Sequence, residues 1–149
     1  MQLLVSVRDG VEAQTALLGG VDIVDAKDPR HGPLGAVSAQ VLRGIHASVA
    51  GRARTSAALG DHSDPASAAL AARMAGDAGV DYGKMGFRGA LSAVHLRRIA
   101  ATAQRAGSDM DLVLVAYADW DQVGAPEPVR VLEAAVAARA AGVLMDTVI

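Results

Sequence analysis

Lys84, in the stretch Gly79-Val80-Asp81-Tyr82-Gly83-Lys84, is the residue of this sequence best suited to covalent chemistry. A lysine amine attacks a carbonyl only when its lone pair is free, and partial desolvation beside another cation, such as Lys27, frees it. The resulting imine draws electrons from the adjacent carbon and makes it acidic. Asp25 or Asp146 could then move protons, given hydrogen-bond reach. Lys27 could instead remain charged and hold a phosphate or a developing oxyanion. Asp25 and Lys27 lie two apart, so on a strand running to its tip they share a face, about 7 Å apart. Lys84 has the parity of Val80 and Tyr82 and faces as they do. The alternative without chemistry is an Asp25–Lys27 ion pair and a Lys84 reaching to solvent from a strand end.

A second group of residues could line such a site. The stretch Asp28 to Ala36 combines the Arg30 guanidinium, the His31 imidazole and the start of a helix, whose N-terminus could bind an anion. Its plainer reading is a connection. Tyr117 and Asp119, at the end of the fifth strand, and Asp61, after the third, are candidates for contact with a substrate. Gly83 and Gly86 either leave room for a ligand or serve as turn glycines. His46, His62 and His95 lack metal-ligand spacing and are expected on the surface, so no metal is expected.

The elements that must position these side chains are short β-branched runs alternating with Ala-rich stretches at helical spacing. Strands are expected at Leu3–Val7, Val21–Asp25, Ala53–Leu59 (the weakest), Val80–Lys84, Leu112–Tyr117 and Val143–Asp146. Asp9 caps a helix with Glu12 at its third position, and that helix ends at Gly19-Gly20. Further helices are expected over 37–47, from Asp64-Pro65 to about Asp77, over 91–105 with Val94 and Ile99 on one face, and over 127–139. Strands separated in this way pair in parallel through crossovers. Three segments, starting at Gly20, Gly79 and Gly142, each run from a helix-ending glycine to a charged strand tip. Charged tips on strands two, four and six favour an α/β fold of the (β/α)8 TIM-barrel type, which gathers catalytic groups at several strand ends. An open doubly wound sheet concentrates them at one switch point instead. Six strands do not close such a barrel, so the chain is expected to supply the first six as one incomplete domain, with strand six as an edge.

Composition closes off other classes. With 52% apolar residues among 149, the chain can bury one core, mostly of Ala, Val and Leu, with only 3% aromatics. A net charge of -2 denies it the basic face that a nucleic-acid binder needs. The absence of cysteine excludes disulfides, thiolate catalysis and Cys-based zinc sites. Leu3 to Val7 is too short for a secretion signal, and no apolar run approaches the roughly 20 residues of a membrane span. A cytoplasmic protein without a membrane partner is expected.

The same residues resemble a known family, the (5-formylfuran-3-yl)methyl phosphate synthases of methanofuran-type cofactor biosynthesis. The likeness rests on Leu3-Leu4-Val5-Ser6, on Gly19 to Pro29, on Gly32-Pro33-Leu34-Gly35-Ala36 and on Gly60-Asp61. It continues through Asp81-Tyr82-Gly83-Lys84-Met85-Gly86, Tyr117-Ala118-Asp119 and Met145-Asp146-Thr147, in the family's order and near its spacing. The Asp-x-Lys-x-Pro loop with its trailing Gly-x-Leu-Gly-Ala is the specific part. The resemblance implies a (β/α)8-barrel lyase that condenses two molecules of glyceraldehyde 3-phosphate, with loss of phosphate and water, to a phosphorylated hydroxymethyl-furan aldehyde. It implies Lys84 as the Schiff-base lysine, Asp25 and Lys27 as a catalytic pair on strand two, and Asp146 as the acid ending strand six. The family's further lysine would follow Ile149, and late-strand phosphate-binding features would also lie beyond it. A chain ending there is expected to be inactive or to need completion. The expected partners are a phosphorylated triose and further copies of the chain, with no cofactor.

Two other readings use the same residues. A class I aldolase-like, phosphate-binding barrel would employ the same amine, and Asp25-x-Lys27 also resembles the Asp-x-Lys element of orotidine-phosphate decarboxylase-like barrels. An inactive piece that works through assembly is the non-enzyme alternative.

Overall fold

The alternation read from the sequence forms six parallel strands in the computed structural model, which describes residues 1–89 and 91–148. In chain order the elements begin with β1 (Leu4–Val7), α1 (Gly10–Leu18), β2 (Ile23–Ala26), a 3-10 turn (Pro29–His31) and α2 (Ala39–Val49). They continue with β3 (Arg54–His62), α3 (Pro65–Asp77), β4 (Tyr82–Phe87), α4 (Ala93–Ala106) and β5 (Asp111–Tyr117). Two helices, α5 (Trp120–Val123) and α6 (Pro128–Ala138), precede β6 (Gly142–Asp146). The strands lie side by side in sequence order, each pair parallel. That order has no reversal, so the doubly wound alternative with its switch point does not form. Ile149, to which the expected handover after strand six extended, lies outside the described residues.

The helices open where the sequence provides caps. Asp9 accepts from the backbone N–H groups of Val11 and Glu12, both at 2.9 Å, while the Glu12 carboxylate turns back to accept from Arg8 N–H at 2.7 Å. Asp64 caps α3 in the same way through Ala66 and Ser67. Together these satisfy N–H groups that no intrahelical carbonyl can reach. The main core lies between the outer face of the sheet and the helices, where Val24, Met85, Phe87, Leu112 and Leu114 meet Ala68, Ala72, Ala100, Ala103 and Ala134. Alanines at these positions let helix backbones lie close to the strands and leave few voids. No helix among the described residues is long and apolar enough to cross a membrane.

Several local expectations change. The weak third strand is the longest, running to His62, with a register shift between Ala58 and Asp61 and Gly60 at φ +90°. β4 continues to Phe87, so Lys84 stands within the strand rather than at its tip. Gly83 and Gly86 are therefore strand residues, not turn glycines. Val94 is 77% exposed; the buried face of α4 is Leu96, Ile99, Ala100 and Ala103, the 3–4 spacing a helix requires. Gly20 and Gly79 do take left-handed conformations after their helices, but Gly142 opens β6 and Arg139 (φ 56°) takes that role after α6.

Candidate active site

Side-chain alternation turns Ser6, Asp25, Ser56 and Lys84 to the inner face of the sheet, opposite the helices. Ser6, Asp25 and Ser56 stand in direct register across β1, β2 and β3. The Asp25 carboxylate is 0% exposed and accepts three hydrogen bonds. Ser6 Oγ donates to Oδ2 at 2.9 Å, Ser56 Oγ to Oδ1 at 2.6 Å, and Lys84 Nζ to Oδ2 at 2.6 Å. Lys84 itself is 8% exposed. Enclosing an ion pair costs both ions their hydration, so a pair kept in this way points to use more than to stability. A cavity of about 210 Å³ opens beside it, lined by Ser56, Tyr82, Lys84, Val113 and Leu144 among others. Arg54 lies over the Tyr82 ring, 5.5 Å from its centroid, and donates to its hydroxyl at 2.7 Å.

A second cluster lies further along the same face. The buried Tyr117 hydroxyl donates to Asp61 Oδ1 at 2.7 Å. Burial first, and then the neighbouring Asp61 carboxylate, push this phenol far above the usual tyrosine range. Gly86 makes the meeting possible: a Cβ there would overlap Asp61 Oδ1 and come within 3.0 Å of the Tyr117 oxygen. Arg88 approaches from the end of β4, its Nε 3.4 Å from Asp61 Oδ2. A cavity of about 240 Å³ lies among Asp61, Arg88, Tyr117 and Val148. Asp146 pairs in register with Tyr117, and its charge adds to the upward push on that phenol. Asp119 accepts from Val148 N–H at 3.0 Å, tying the segment after β6 to the end of β5.

The expected residues thus form two groups. Asp25 meets Lys84, not Lys27 as a simple pair on strand two would have it. The Lys27 N–H carries the β1–β2 ladder one step further, to Val7 C=O at 3.0 Å, and its side chain is half-buried. Arg30 joins neither group. Its guanidinium, 72% exposed, closes on Asp28 through Nε at 2.9 Å and Nη2 at 2.7 Å. This holds the Asp28 carboxyl well below the usual carboxylate range. The histidines expected on the surface are half-buried, each bonded to a neighbour: His46 to Thr55, His62 to Leu59 and Ser67, His95 to Ser63. No cluster of metal-ligating side chains occurs among the described residues. The sequence alone marks neither Ser56 nor Arg88 as a site residue, and it marks Ser6 only as part of Leu3-Leu4-Val5-Ser6. The serines' only signal was a hydroxyl at the parity of Asp25 in otherwise apolar runs.

Comparison with known proteins bears on this arrangement directly. A family model described as 4-HFC-P synthase matches residues 3–149. A (5-formylfuran-3-yl)methyl phosphate synthase from Methanosarcina mazei is 36% identical over 152 residues, covering 99% of this chain and 65% of that protein. One from Methanocaldococcus jannaschii is 36% identical over 154 residues, covering 100% and 66%. The chain thus spans about 65% of the length of such relatives. Among solved structures, the Ruminococcus gnavus sialic acid aldolase superposes with a TM-score of 0.70 at 17% identity, covering 97% of this chain and 54% of that one. A dihydrodipicolinate synthase from Agrobacterium tumefaciens gives 0.66 at 19%, covering 97% and 54%. These structural likenesses speak for the fold alone. The resemblance carried by the Asp-x-Lys-x-Pro loop and the Lys84 strand extends along nearly the whole chain, and the chain belongs to the 4-HFC-P synthase family.

Proposed function

We propose that this chain carries the amine centre of a (β/α)8-barrel lyase acting in methanofuran-type cofactor biosynthesis. The reaction would condense two molecules of glyceraldehyde 3-phosphate into (5-formylfuran-3-yl)methyl phosphate, with loss of phosphate and water. The observation that carries the reading is Lys84 Nζ at 2.6 Å from an enclosed carboxylate, in a chain of this family. Six parallel strands in unbroken order support the barrel. In this reading Lys84 forms an imine with the first aldehyde. Asp25, fixed by Ser6 and Ser56, takes the proton released as the amine attacks. Asp61 and Tyr117 meet substrate hydroxyls, and Asp146 moves protons at the next carbon.

One observation favours a second assignment of the nucleophile. Lys84 is engaged with Asp25, and an ammonium held in that way is a proton donor first. Lys27, the sequence's only other lysine, has no side-chain partner among the described residues. On this assignment Lys27 attacks the aldehyde and Lys84 delivers protons. Treating the full chain with glyceraldehyde 3-phosphate and borohydride, then mapping the adduct by mass spectrometry, separates the two. An adduct on Lys84 supports the first assignment and one on Lys27 the second. The absence of both would overturn the imine mechanism.

A further inference from the structure

Arg88 is the arginine at the catalytic end of the strands whose charge is least committed. Arg30 is closed on Asp28, Arg8 on Glu12, and Arg54 on Tyr82 at the opposite end of β4. Arg88 keeps one long contact, Nε to Asp61 Oδ2 at 3.4 Å, and its side chain is 71% exposed. Both terminal nitrogens are without partners among the described residues, leaving the two-pronged edge that matches an oxyanion.

Its place in the strand aims that edge. The Arg88 N–H extends the sheet ladder to His62 C=O at 3.2 Å, so alternation continues past Phe87. Lys84, Gly86 and Arg88 therefore follow one another on the inner face, with roughly 13 Å of strand between the two cations. Gly86 contributes no side chain to this column, and the space it leaves is where Asp61 and Tyr117 meet. Asp61, itself held by Tyr117, draws the guanidinium's Nε toward the inner side, beside the cavity of about 240 Å³.

We propose that Arg88 receives the phosphate of the substrate aldehyde, so that the carbonyl end of a short phosphorylated chain points back along β4 toward the amine. The assignment rests on the reading of the Lys84 cluster as an aldehyde-condensing site. It gives the Asp61–Tyr117 pair a second task beside meeting substrate hydroxyls, that of orienting the cation. It also replaces Arg30 as the anion-binding arginine.

Calorimetric titration of the full chain with inorganic phosphate at fixed ionic strength tests the proposal. Arg88→Met should weaken phosphate binding roughly tenfold to a hundredfold, the range for one charge-assisted pair. Arg88→Lys should recover part of the loss, since an ammonium keeps the charge but not the fork. Equal affinity in the wild type and Arg88→Met, with circular dichroism showing both folded, would overturn it, as would a wild type that takes up no phosphate. Borohydride trapping of the wild type with unphosphorylated glyceraldehyde examines the amine alone. Arg88-dependent phosphate binding without any lysine adduct would end the condensation reading and leave the phosphate site standing.

Discussion

Replacing Lys84 by methionine keeps most of the side-chain volume and removes the charge that faces Asp25. The carboxylate is 0% exposed, so water cannot take the ammonium's place, and only Ser6 and Ser56 remain as donors. Breaking a buried pair from one side costs about 3–5 kcal/mol, and the two retained hydroxyls put the expected loss near the lower end, about 3 kcal/mol. For a domain of this size that corresponds to a fall in melting temperature of roughly 6–12 °C. Urea unfolding followed by the fluorescence of Trp120, the single tryptophan, gives the same quantity independently. Asp25→Asn combined with Lys84→Met leaves no bare charge, and should recover about 2 kcal/mol relative to Lys84→Met alone. The reasoning fails if Lys84→Met lies within about 1 kcal/mol of the wild type, or if the double variant is no better than the single one.

Other consequences follow from the same face of the sheet. Ser56→Ala removes one of three donors to a buried anion and should cost about 1.5–3 kcal/mol in urea unfolding. Ser56→Thr keeps the hydroxyl, and its methyl group has the neighbouring cavity of about 210 Å³ to enter, so its loss should be the smaller. Gly86→Ala forces a methyl onto Asp61 and should lower stability by about 1–3 kcal/mol in thermal unfolding. The raised Tyr117 phenol has a sign that can be checked. Its contribution to stability is complete below the unfolded value of about pH 10 and declines as pH rises above it. Titration of tyrosine absorbance should therefore release the Tyr117 signal only with alkaline unfolding, and a release below that transition would contradict the burial.

The order of elements was legible because caps and apolar runs act locally. Asp9, Asp64-Pro65 and the valine-rich strands announce themselves within a few residues. Register was not legible, since it depends on which residues meet across strands. No local signal tells that Lys84 will lie against Asp25, 59 positions earlier, and the pairing of Asp25 with Lys27 was the natural local guess. The far end of β3 is hidden in Gly60-Asp61, residue types with little strand preference that read as a turn after Leu59. Val94 was misplaced because a hydrophobic type was read without its angular position on the helix. Arg30 stands out as a cation in a glycine-proline loop, and the 3-10 turn closes it on Asp28 two residues earlier. The Asp25–Lys84 pair is half visible: each residue stands out in the sequence for its own chemistry, and the sheet brings them together.

The row Ser6–Asp25–Ser56–Lys84 also bears on how the molecule comes apart. Its four members sit on four consecutive strands, so the charge on Asp25 is balanced only when β1, β2, β3 and β4 are all docked. Lifting any one of them takes a partner from the buried carboxylate or exposes the carboxylate itself, which ties the four strands into one cooperative opening unit. β1 and β6 both stand at flanks of the sheet, but only β1 contributes to the row, and β5 and β6 carry no member of it. Amide hydrogens of β1 to β4 should therefore exchange together and slowest, while those of β6 exchange through smaller openings that leave the amine centre intact. A molecule built this way can let its β6 side breathe without separating the Asp25 and Lys84 charges.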